Sequence, residues 1–134
     1  MRAHAERIYP HECCGFLLGR VGDGLRVVEQ VEPATNGRGE EERYNRFTIT
    51  PEAYLGAEKA ARQAGLDVLG FYHSHPDAPA RPSAYDLEHA WPWYSYVIVA
   101  VREGAAEQMT SWVLEDDRTR FNEQAIEGLS QEIR

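Results

Sequence analysis

One stretch constrains this chain more than any other: Val68-Leu69-Gly70-Phe71-Tyr72-His73-Ser74-His75, stopped by Pro76. A short apolar run ended by proline reads as a buried strand. Strand side chains alternate between faces, so His73 and His75 project to one side and Ser74 to the other. Two imidazoles on one face at a strand end can reach a single ion at the ~2.0–2.1 Å that a Zn–N bond requires. A carboxylate, Asp86, follows eleven residues after His75, three residues into a helix that Ser83 opens. If that helix runs back over the strand end, its first turn meets the two imidazoles. His-His-Asp with a water is a tetrahedral set, and three protein ligands with one open position distinguish a catalytic zinc from a structural one. The competing reading is plain: two surface histidines near a helix start, with Ser83-x-x-Asp86 no more than a capping pattern.

The rest of the chain supplies a frame for that strand. Met1 to Tyr9 reads as a short helix ended by Pro10. Gly15-Phe16-Leu17-Leu18-Gly19 reads as a buried strand, Val21 to Gly24 as a turn, and Leu25 to Val31 as the returning arm of a hairpin. Glu32 to Arg46, with Glu40-Glu41-Glu42, reads as a solvated loop, and Phe47-Thr48-Ile49 as a short strand. Pro51 opens a helix of good formers that Gly65 closes. Beyond the histidines, a proline-rich connection leads to a helix over Ser83 to Ala90 with Ser83 as N-cap. Tyr94 to Val101 and Glu107 to Glu115 are β-prone, with a hairpin turn over Arg102 to Ala106; Phe121 to Ile126 fits a strand or a helix equally.

Composition removes several function classes. The chain has 134 residues, 22 acidic and 14 basic, for a net charge of −8. That length suits one domain over 1–134 and needs no disulfide staples. The charge argues against nucleic acid as a partner, because phosphate binding needs clustered Lys and Arg. The two cysteines, Cys13 and Cys14, are adjacent. They make neither a disulfide framework nor a zinc knuckle, and read as buried packing in a reducing, cytoplasmic setting. No run reaches the 18 or so apolar residues of a membrane span, and the N-terminus lacks a signal-peptide core.

A hydrolytic zinc also needs a general base. Glu12, in Pro10-His11-Glu12-Cys13-Cys14-Gly15, is the candidate, although by composition alone it reads as a solvated charge. Taken together, Glu12, His73-Ser74-His75, seven residues, Ser83, two residues and Asp86 match E…H-[ST]-H-x7-S-x2-D. That composite resembles the JAMM motif of the MPN+ metallopeptidases. Tyr9 to Gly19, Phe47-Thr48-Ile49 and Gly70-Phe71-Tyr72 also resemble small bacterial members, and the likeness spans roughly residues 3 to 126.

The resemblance implies an α/β chain of the α+β, cytidine-deaminase-like MPN/JAMM fold: one mixed sheet flanked by helices. It implies one zinc per chain held by His73, His75 and Asp86, with Glu12 as general base and then acid, and Ser83 as the oxyanion donor. A commitment of the Ser83 hydroxyl to the helix cap counts against that last role. Ser74 is expected to pack the opposite face. His4, His11 and His89 fall outside the motif and read as surface or packing residues, the three tryptophans as core or interface, and Pro79, Arg81 and Pro82 as a cleft rim. The chain begins at the first helix, where relatives usually carry a preceding strand; either that strand is dispensable or the true start lies upstream. It also lacks the long insertions with which eukaryotic deubiquitinating relatives grip ubiquitin chains.

The expected function is therefore a zinc metallopeptidase or isopeptidase that cuts an amide at a protein or peptide C-terminal tail. Adducts of a ubiquitin-like sulfur carrier are the substrate implied by small bacterial members. The alternatives are a non-catalytic MPN scaffold and a cell-wall peptide hydrolase. A zinc deaminase is disfavoured because the chain has no P-C-x-x-C pair.

Overall fold

The computed structural model describes residues 1–34 and 49–127. Its elements, in chain order, are α1 (Arg2–Ile8), β1 (Cys14–Gly22), β2 (Leu25–Ala34), α2 (Pro51–Ala64), β3 (Asp67–Pro76), α3 (Ala84–His89), β4 (Ser95–Arg102), β5 (Ala105–Leu114) and β6 (Phe121–Gln124). The strands form one six-stranded sheet in the order β2-β1-β3-β4-β5-β6. Only β3 and β4 pair in parallel, so the sheet is mixed, as expected. A parallel pair needs a crossover connection, and the segment bearing α3 supplies it. Among the described residues, no helix is long and apolar enough to cross a membrane.

The sheet buries both faces, which is why β3 and β4 read as continuous apolar runs rather than alternating ones. On one face Leu17, Tyr72, Val97, Val99 and Val101 pack with Ala5 of α1. On the other, Phe16, Leu18, Phe71 and Tyr96 pack with Ala57 and Ala61 of α2. The helix boundaries follow from local chemistry. The Thr50 hydroxyl accepts from the Ala53 N–H at 3.1 Å, Pro51 fills the first turn, and Gly65 closes α2 in the left-handed region at φ 70°. Gly70 is required for a different reason: a Cβ there would overlap the Ser95 carbonyl, so its absence lets β3 and β4 lie together.

Three expectations change. The loop expected from Glu32 begins later, because β2 continues to Ala34 and pairs Glu32 with Phe16 and Pro33 with Gly15. Glu and Pro look like breakers, but β2 is an edge strand, where proline is tolerated and charges face water. Phe121–Gln124 resolves as a strand, with Phe121 opposite Leu114. Of the core-or-interface alternatives for the tryptophans, core is removed for Trp91 and Trp93, which are 62% and 48% exposed, each under an arginine: Arg118 lies 5.1 Å from the Trp91 ring and Arg26 4.4 Å from that of Trp93. The remainder of the expected loop, to Arg46, and most of the Phe47-Thr48-Ile49 strand lie outside the described residues.

Candidate active site

The end of β3 presents both histidines to one point. Their Nε2 atoms are 3.0 Å apart, and both rings are buried. Asp86 arrives from the first turn of α3: its Oδ2 lies 3.1 Å from His75 Nε2 and 3.3 Å from His73 Nε2. The ligand atoms of the three residues fall within 4.8 Å of one another.

The same carboxylate also caps its own helix. The Ser83 N–H donates to Asp86 Oδ2 at 2.9 Å, and the Ser83 hydroxyl oxygen accepts from the Asp86 N–H at 3.1 Å, a complete capping box. Cap and ligand cluster are therefore one structure rather than rival readings. The cap uses the serine oxygen as an acceptor only, and a hydroxyl keeps its proton to donate elsewhere. Ser83 is exposed at the rim, where that proton is available.

The His75 tautomer, the lowered His73 and the ionised Asp86 suit a cation. The Pro79 carbonyl lies 2.9 Å from His75 Nδ1 and can only accept. In the neutral ring the proton is therefore on Nδ1, and Nε2 offers its lone pair to the cluster. Burial holds the His73 pKa below its ordinary value, against the pull of Asp86. At His75 burial also disfavours the charged ring, but the Asp86 carboxylate and the Pro79 carbonyl outweigh it and the net direction is upward. Burial opposes ionisation of Asp86 too, yet the two histidines and the Ser83 N–H hold it well below the usual carboxylate range. Two imidazole nitrogens and a carboxylate, converging in a site from which water is largely excluded, are the donor set of zinc.

Glu12 reaches this cluster through the sheet. Cys14 lies opposite His73 in the β1–β3 ladder, and the Ser74 N–H donates to the Cys13 carbonyl at 3.2 Å, which extends that register. Continued by one residue, it sets Glu12 opposite His75 on the face that bears the histidines. The buried Ser74 hydroxyl locks this register by accepting from the Cys13 N–H at 2.9 Å. Glu12 is 6% exposed, not solvated as composition alone implies. Burial pushes its pKa up to about 8; His75 opposes the shift and Asp86 adds to it. A carboxyl poised near neutrality is what proton transfer at neutral pH requires.

Other residues sort themselves. Cys13 and Cys14 are buried free thiols, both pushed up by burial, Cys14 to about 12. His4 Nδ1 lies 2.8 Å from the Tyr72 hydroxyl on the face opposite the cluster. His89 stacks on Tyr85 at 4.0 Å and lines a cavity of about 620 Å³ that also contains His73 and Asp86. Sequence reasoning missed this cavity and the Pro79 carbonyl. Trp91-Pro92-Trp93-Tyr94, aromatic residues held outside a strand by proline, was the available signal for the first; a backbone carbonyl leaves none.

This fold and cluster match a known family. Residues 1–115 match the prokaryotic homologs of the JAB domain, and the chain belongs to that family. It is 39% identical over 90 residues to a desampylase from Haloferax volcanii, covering 66% of this chain and 62% of that protein. It is 39% identical over 97 residues to a probable TtuB-protein conjugate cleaving protease from Thermus thermophilus, covering 72% of this chain and 61% of that protein. The matches thus span a little under two thirds of both relatives. A solution structure from Salinibacter ruber is 50% identical, with a TM-score of 0.73, covering 93% of this chain and 82% of that one.

Proposed function

We propose that the protein is a zinc-dependent peptidase or isopeptidase that hydrolyses the amide following the C-terminal tail of a ubiquitin-like sulfur-carrier protein. The observation that carries the reading is the meeting of three buried ligand side chains, His73, His75 and Asp86, with the buried carboxyl of Glu12 in the segment that leads into β1. The names of the relatives, a desampylase and a probable TtuB-protein conjugate cleaving protease, support a protein-conjugate substrate.

His73, His75 and Asp86 would hold the metal, with the His75 lone pair aimed by Pro79 and the Asp86 carboxylate aimed by the Ser83 N–H. When bound, zinc would supply Lewis acidity, acidifying water to a pKa of about 7 and polarising a carbonyl. Glu12 accepts the proton of the attacking water and returns it to the leaving nitrogen. Its raised pKa suits both halves of that transfer. The Ser83 hydroxyl donates to the oxygen on which negative charge develops.

The test is a carrier fusion whose tail ends in Gly-Gly, incubated with zinc-loaded protein and read by mass. Cleavage after the second Gly is expected, and Glu12→Gln should retain zinc while losing most turnover. An uncut fusion with stoichiometric zinc bound would sink the reading.

A further inference from the structure

The sheet order gives the site a direction. Glu12 stands on the β1 side of β3, whereas the 620 Å³ cavity opens on the β4 side, walled by Phe71, Tyr94, Tyr96, Ile98 and Phe121. His73 and Asp86 form part of its wall; Glu12 and His75 do not. The base must deliver its proton to the leaving nitrogen, so the leaving group lies toward β1. The acyl chain, on the other side of the scissile carbonyl, runs over the cavity.

We propose that this cavity is an acyl-side specificity pocket that takes a large apolar side chain, leucine or phenylalanine, from the residue immediately before the terminal Gly-Gly. The proposal rests on the peptidase reading of the site. Two glycines carry no side chains, so the third residue from the bond is the first able to fill a pocket, and in an extended tail its Cα lies about 7 Å upstream of the last glycine's. The volume falls within the ~300–1,000 Å³ of pockets that enclose whole ligands.

The chemistry of the wall selects against polar occupants. The Tyr54 and Tyr94 hydroxyls bond each other at 2.9 Å, and the Tyr96 hydroxyl accepts from the Trp91 N–H at 2.9 Å. The polar ends of these rings are engaged with the protein itself, which leaves their apolar surfaces facing the occupant. A charged or hydroxylic side chain there gives up water for a mostly aromatic wall that offers few partners, chiefly the His89 ring and the remaining proton of the Tyr96 hydroxyl. An acidic one also meets the Asp86 carboxylate. Trp91, largely exposed, adds its indole to the lining.

The experiment is calorimetric titration of the zinc-loaded protein with peptides ending Leu-Gly-Gly, Ser-Gly-Gly and Asp-Gly-Gly, each with a free C-terminal carboxylate. The leucine peptide is expected to bind about tenfold or more tightly than the other two. Ala90→Phe, which fills the cavity from a buried position on its wall, should abolish the difference. Trp91→Ala, at an exposed position, should weaken the leucine peptide selectively. Melting temperatures and zinc content check that both variants are folded and loaded. Equal affinities, no binding of any peptide, or an unchanged ratio in both folded variants overturns the pocket. The fusion assay separates the two claims: an uncut fusion with the leucine preference intact removes the peptidase reading alone, and a cleaved fusion without the preference removes the pocket alone.

Discussion

Burying Glu12 has a thermodynamic consequence that can be measured without any substrate. Its folded pKa is raised from 4.5 to about 8, chiefly by burial. The folded state therefore holds a proton that the unfolded chain has released, and stability falls as pH rises through that interval. At about 1.36 kcal/mol per pH unit, the full interval amounts to on the order of 5 kcal/mol above pH 8, and roughly 3 kcal/mol at pH 7. Below pH 4.5 the term vanishes, because both states are protonated. Glu12→Gln keeps the shape of the protonated side chain and removes the titration. In metal-free protein, urea unfolding of the two forms should give similar stabilities near pH 4.5. The variant should then become progressively the more stable, by about 3 kcal/mol at pH 7. Zinc should narrow that gap, since a nearby cation favours the ionised carboxylate. A stability difference independent of pH would refute the argument, because it would mean that Glu12 ionises in the fold without desolvation.

Further substitutions separate the roles of the other residues. His75→Ala and Asp86→Ala should each abolish stoichiometric zinc in metal analysis, whereas Glu12→Gln should not. Ser83→Ala removes the cap acceptor and the proposed oxyanion donor: urea unfolding should show a loss of about 1 kcal/mol, and kcat should fall by about 10²–10³-fold with zinc retained. Ser74→Ala strands the buried Cys13 N–H and should lower stability by about 1–3 kcal/mol, read by thermal or urea unfolding.

Local chemistry was legible wherever neighbouring residues decide the outcome. The β3 strand and its same-face histidines follow from period-two alternation and a terminating proline, and α2 from Thr50, Pro51 and Gly65. Ser83-x-x-Asp86 was legible both as a cap and as the place of a third ligand, but as rival readings; that one carboxylate does both was not legible, because an i,i+3 hydrogen bond says nothing about what else the carboxylate touches. β2 was read three residues short because the residues that look like breakers sit on an edge, and edge position is a property of the sheet.

By itself, then, the sequence singled out the candidate ligands His73, His75 and Asp86, the elements that carry them and the family motif. Those are statements about spacing within one strand and one helix. Tertiary structure decided what Glu12 is. As a residue in a short connection it is a solvated charge; opposite His75, with Ser74 bonded to Cys13 and both faces of the sheet covered, it is a dehydrated carboxyl that titrates near neutrality. It also decided which side of the metal cluster bears an aromatic cavity, because the order β1-β3-β4 sets base and cavity on opposite flanks of the histidine strand. Burial and strand order are created by contacts between segments far apart in the chain, and no local pattern of residues encodes them.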